Sequence, residues 1–138
     1  SLQLSQAVLP AMKAQGGGSI VMISSVSMCD HRAERPPVID YASSKGALHV
    51  AAKYLAFELG HYGIRVNTVR PGYIDSEKLD YFFEATGRPK ADVEASLPLR
   101  RLPTDAEIAQ AVLFYASDMA SAVTGNTIDV NAGEWMGA

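Results

Sequence analysis

One cysteine, Cys29, in 138 residues excludes an internal disulfide and any cysteine-based metal cluster. It reads as a small buried or half-buried thiol and suits a reducing cytoplasm. Basic clusters are missing as well. The twelve Lys and Arg are scattered and the net charge is -3, so nothing marks a surface for a nucleic-acid backbone or an anionic membrane. No apolar run reaches membrane-spanning length, and residues 1–20 lack the charged-then-apolar layout of a signal peptide. His31, His49 and His61 share no ligand spacing, and no metal site is expected. An initiator methionine is absent. The opening run Ser1 to Pro10 looks like the middle of an amphipathic helix, which points to a fragment or a processed product. What is present is 48% hydrophobic and 20% charged, enough for one soluble globular unit with a real core.

Elements follow from periodicity and punctuation. Gly16-Gly17-Gly18 ends the opening helix, and Ser19 to Ser24 reads as a short buried strand with a serine-rich end. Residues 28–40, charged and carrying two prolines, read as a loop. The next helix is expected from near Tyr41 to about Tyr62, stopped by Gly63, with Ala47, Ala51, Leu55 and Leu59 as its apolar stripe. Ile64 to Val69 alternates and is β-branched, which makes a second strand ended by Arg70-Pro71-Gly72. Residues 73–102 read as an irregular stretch with short helical pieces, of the kind that forms binding loops or lids. Thr104-Asp105-Ala106-Glu107 matches a capping box opening a helix through about Ser117, and Thr127 to Val130 forms the last strand. Strands alternating with crossover helices predict an α/β fold with a parallel sheet. Three strands with three or more helices amount to the C-terminal part of a doubly wound, Rossmann-like domain.

Tyr41 and Lys45 are one helical turn apart and lie on one helix face. A cation beside a tyrosine stabilises the phenolate, and that makes a phenol a usable proton donor and acceptor near neutrality. Alone, the pair occurs too often by chance to carry much weight. It gains weight from order: Ile23-Ser24-Ser25 ends a strand, Tyr41-x-x-x-Lys45 opens the next helix, Gly63 to Asn67 leads into the next strand, Arg70 to Ser76 ends it, and Thr124-Gly125 precedes the last.

This arrangement resembles the short-chain dehydrogenase/reductase family of nicotinamide-dependent oxidoreductases over essentially the whole chain. The resemblance implies interconversion of a ketone or aldehyde and an alcohol, with NAD or NADP as cofactor and a small-molecule carbonyl or alcohol as substrate. It assigns Tyr41 as catalytic acid in reduction and base in oxidation, Lys45 as its tuner and a contact to the nicotinamide ribose, and Ser25 as the residue holding the substrate oxygen, with Ser27 as competitor. Pro71 and Gly72 are implied to let the backbone approach the nicotinamide. Ile74 meets its carboxamide through the main chain, and Ser76 stands where a threonine is usual.

Three departures accompany the resemblance. The segment between Ser25 and Tyr41 is longer than is common in the family, and Asn131-Ala132-Gly133-Glu134-Trp135 stands where an Asp-Gly-Gly run is usual. The glycine-rich turn that receives the pyrophosphate has no counterpart here, so NAD and NADP stay open and the 138 residues alone are expected to be inert.

Two further questions are open at this level. Tyr73, Tyr81, Phe82 and Phe83 form either an apolar wall over the site or core filling, and the charged loop of residues 30–35 points the other way, toward a polar substrate. The second reading of the whole chain is a non-enzymatic interaction module that forms homo-oligomers through the helices of residues 1–15 and 42–62, with Ala42, Gly46, Ala52 and Ala56 exposed for close helix approach.

Overall fold

The computed structural model describes residues 1–29 and 38–137. Most of the loop expected at 28–40, His31 included, lies outside the described residues. Helix α1 (Leu2–Ala14) leads to strand β1 (Gly18–Ile23); helix α2 (Ile39–Leu59) and strand β2 (Ile64–Pro71) follow. Then come helices α3 (Glu77–Thr86), α4 (Lys90–Ser96) and α5 (Asp105–Ala116), and strand β3 (Thr127–Val130). The sheet is parallel in the order β1-β2-β3, with Gly18 opposite Ile64 and Thr68 opposite Thr127. The expected α/β architecture is therefore the observed one. The stretch 73–102 is more regular than its sequence suggests, holding both α3 and α4.

Period-two alternation divides the sheet between two cores. Ile20, Met22, Ile64 and Val66 face α1 and α2, packing with Ala52, Ala56 and Leu59. Val21 and Val69 face the opposite way and pack with Ile108, Val112 and Tyr115 of α5. A third cluster of Phe83, Val93, Leu97 and Leu102 ties α3 and α4 to the tail residue Ala132.

Two expectations about α2 are corrected here. Ala52 and Ala56 are 1% and 6% exposed and form the core face, so they offer no surface to a partner. Ala47, placed on the apolar stripe, is exposed, whereas Leu59 is buried. The sheet approaches the smallest side chains, because alanines let the helix lie close over β2. The large residues Val50, Tyr54 and Phe57 are left outside.

Gly63 illustrates how the turns are built. Its φ of 73° is left-handed, and a Cβ there would meet the Gly16 carbonyl oxygen at 2.6 Å. Only glycine lets the α2–β2 turn nest against the α1–β1 turn, where Gly18 N–H donates to the Gly63 carbonyl at 3.3 Å.

Candidate functional site

The site lies beyond the carboxyl ends of β1 and β2, where open parallel sheets bind ligands. β1 delivers Ser24 and Ser25, both buried. The Ser24 hydroxyl donates to the Lys45 carbonyl at 2.9 Å, locking the strand end to the first turns of α2. The Ser25 oxygen caps the single turn Val26–Met28, accepting from Ser27 N–H at 3.2 Å, and its hydroxyl also reaches Ser27 Oγ at 3.2 Å.

Tyr41 stands in the first turn of α2, 45% exposed. Lys45 lies one turn on, its Nζ 5.6 Å from the Tyr41 ring centroid and donating to the Ile23 carbonyl at 2.9 Å. The last carbonyl of β1 thus fixes the ammonium beside the phenol. Tyr41 faces a cavity of about 380 Å³ whose other walls include Ser27, Gly72, Ile74 and Ser76. Ser25 itself is not among the cavity-lining residues. Ser27 is, bonded to Ser25 behind it.

β2 supplies the second wall. Gly72 N–H donates to the Val130 carbonyl at 3.1 Å, so the strand end stays in register with β3. A Cβ on Gly72 would collide with the Glu134 carboxylate and lie 2.8 Å from Asn131 Cβ. The missing side chain is thus required by the tail packed behind it. Glu134 accepts from Tyr73 N–H at 2.9 Å and holds the chain as it leaves the sheet. Ser76 caps α3, accepting from Leu79 N–H at 3.4 Å.

The aromatic stretch divides. Tyr73 and Phe82 line the cavity, Phe83 is core at 3% exposure, and Tyr81 is 73% exposed. Asn67 is fully buried and bridges Val123 O and Asn126 N–H at 2.8 and 3.0 Å, a structural role.

Several supports escaped sequence reasoning. Arg70, buried at the end of β2, pairs in bidentate fashion with Asp129 of β3 at 2.5 and 2.7 Å and stacks its guanidinium 4.2 Å from the Trp135 ring. Its third arm donates to Cys29 Sγ at 3.0 Å, joining the serine turn to the sheet. Lys90 clasps Asp75 and Asp80, which holds α4 against α3 and the end of β2. A charged residue at the carboxyl end of a core strand is the available sequence signal for Arg70. Glu134 gave none. Among the described residues, no group of three His, Cys, Asp or Glu is placed to hold a metal ion, and no helix is long and apolar enough to cross a membrane.

Comparison with known proteins bears on this geometry. The family model described as enoyl-(acyl carrier protein) reductase matches residues 1–134. The short-chain type dehydrogenase/reductase y4mP of Sinorhizobium fredii is 40% identical over 136 residues, covering 96% of this chain and 51% of that protein. The 3-oxoacyl-[acyl-carrier-protein] reductase FabG of Salmonella typhimurium is 39% identical over 134 residues, 97% of this chain and 52% of FabG. A crystal structure of a gluconate 5-dehydrogenase from Burkholderia cenocepacia, in complex with NADP and tartrate, superposes with a TM-score of 0.80 at 31% identity. It covers 94% of this chain and 49% of that one. The chain spans about half the length of the curated relatives it matches. With a family match reaching from its first residue to the tail that backs Gly72, the chain belongs to the short-chain dehydrogenase/reductase family.

Proposed function

We propose that the complete protein is an NAD- or NADP-dependent oxidoreductase that interconverts a ketone or aldehyde and an alcohol. The observation that carries this reading is the placement of Tyr41: its phenol faces the cavity and Lys45 stands one turn behind it, anchored to the end of β1. The residues present suit the nicotinamide end of the cofactor. Gly72, Ile74 and Ser76 line one wall of the same cavity, with Pro71 fixing the strand end that presents them.

When bound, the nicotinamide supplies the hydride. The chain's own residues handle the oxygen. In reduction the Tyr41 hydroxyl gives its proton to the carbonyl oxygen, and in oxidation the phenolate takes the alcohol proton back. Lys45 places positive charge where the phenol becomes negative. The Ser25 hydroxyl, directly or through Ser27 bonded to it, holds the substrate oxygen and stabilises charge developing there. Residues 73–102 form the substrate-binding wall. The lone thiol of Cys29 fits a reducing cytoplasm.

Residues 1–138 alone hold no glycine-rich turn for a pyrophosphate, and we expect them to bind NAD(H) and NADP(H) negligibly. The test is a panel of ketones and alcohols assayed by nicotinamide absorbance, with both cofactors, on the complete protein and on residues 1–138. Turnover of at least one pair by the complete protein and none by residues 1–138 is expected; a complete protein inert toward every pair, with cofactor bound, would contradict the reading.

A second reading, self-association, is favoured by a specific surface. Val50, Tyr54 and Phe57 recur at helical spacing on the outer face of α2, and Phe57 is 90% exposed. A second copy of the chain is the occupant we propose for that face. It is compatible with the enzymatic reading, because the core face and the site lie elsewhere on the helix.

A further inference from the structure

We infer that the substrate of this site is an apolar carbonyl compound, an alicyclic or acyl-chain ketone, and not a polyhydroxylated one. This inference rests on the oxidoreductase reading and specifies what enters the cavity. Apart from Tyr41, the large side chains of the lining are mostly apolar: Val38, Tyr73, Ile74, Leu79 and Phe82. These side chains form a fixed wall. The Tyr73 and Phe82 rings lie 6.4 Å apart and both pack on buried Phe83, at 5.6 and 5.9 Å. Lys90, bridging Asp75 and Asp80, clamps α3, which carries Leu79 and Phe82, to α4 and to the chain leaving β2.

Polar partners are few. Among the described residues, the side chains lining the cavity that carry a polar group are Ser27, Tyr41, Tyr73, Ser76 and Lys78. Ser27 bonds Ser25 and belongs with it to the reacting oxygen, Ser76 caps α3 on the wall assigned to the cofactor, and Lys78 is exposed at the rim. Tyr41 is committed to the reacting oxygen. A polyol brings a hydroxyl on nearly every carbon, and those set against Val38, Ile74, Leu79 and Phe82 would have nothing to bond, a cost that water does not impose. An apolar body gains from the same surface. The solved relative that binds tartrate and the relative that reduces 3-oxoacyl groups stand on opposite sides of this distinction. The wall of this chain suits the second kind of molecule.

The test is a titration of the complete protein, without cofactor, by protein-observed NMR, using 2-decalone and fructose as probes. Saturable shifts at Tyr73, Leu79 and Phe82 are expected with 2-decalone, with fructose at least about tenfold weaker. Phe82→Asn should weaken 2-decalone about tenfold and Val38→Ser, at a more exposed wall position, about threefold. The second variant keeps the test decisive where the first perturbs the fold. Fructose binding as tightly as 2-decalone, no saturable binding of 2-decalone, or shifts confined to other residues would overturn the inference. No hydride donor takes part, so a cavity that binds 2-decalone in a protein that turns nothing over sinks the reaction and leaves the cavity's preference standing.

Discussion

Ser24 shows how much of the site depends on a residue outside the cavity lining. Buried at the tip of β1, it donates to the Lys45 carbonyl at 2.9 Å and so sets the angle at which α2 presents Tyr41 and Lys45. Ser24→Ala should lower stability by about 1 kcal/mol, the usual net loss for a buried hydrogen bond, read from the urea midpoint at constant slope. An unchanged midpoint would show the bond to be incidental. Sequence order made the meeting of Tyr41 and Lys45 with the end of β1 legible, since strand end, loop and helix start occur in sequence. Arg70 with Asp129, and Tyr73 with Glu134, lie about sixty positions apart and meet only because β2 and β3 pair in register. No local pattern marks such a contact.

Among the elements, strand periods and caps were readable and the burial of α2 was not. β3 is Thr127–Val130 as expected, and the capping box of α5 is present in full, with Thr104 Oγ1 accepting from Glu107 N–H and the Glu107 carboxylate accepting from Thr104 N–H. In α2 the alanines occur on every face, so hydrophobicity alone cannot say which side meets the sheet; shape decides, and the smallest residues go inward. The α5 cap carries a pH signature. The Arg101 guanidinium, bonding Glu107 at 2.5 and 2.8 Å, together with Thr104 N–H, holds the Glu107 carboxyl at about 2, down from 4.5. A carboxyl depressed on folding contributes stability that is present above its unfolded value and is lost as pH falls toward about 2. Thermal midpoints of Glu107→Gln and the parent should converge over that interval, because the amide has no charge to lose. Parallel curves would remove the ion pair from the account.

For the whole molecule, two surfaces point in different directions. The cavity at the strand ends faces a ligand, and the outer face of α2 carries Val50, Tyr54 and Phe57. Apolar residues this exposed at helical spacing are what the proposed self-association rests on. Sedimentation of the 138-residue chain should show a concentration-dependent dimer or larger species, and Phe57→Glu should return it to monomer with its helical content unchanged. A parent chain that sediments as a monomer at micromolar concentration would rule out this surface as a self-association face.

The central claim concerns the phenol, and one substitution isolates it. Tyr41→Phe removes a hydroxyl and leaves the ring, the Lys45 anchor and the cavity wall in place. In the complete protein, the account predicts a fall in nicotinamide-linked kcat of roughly 10²–10⁴-fold with cofactor affinity nearly unchanged, the signature of a lost proton-transfer group. A variant that keeps the parent's kcat would contradict it, and the proton would have to come from elsewhere in the cavity.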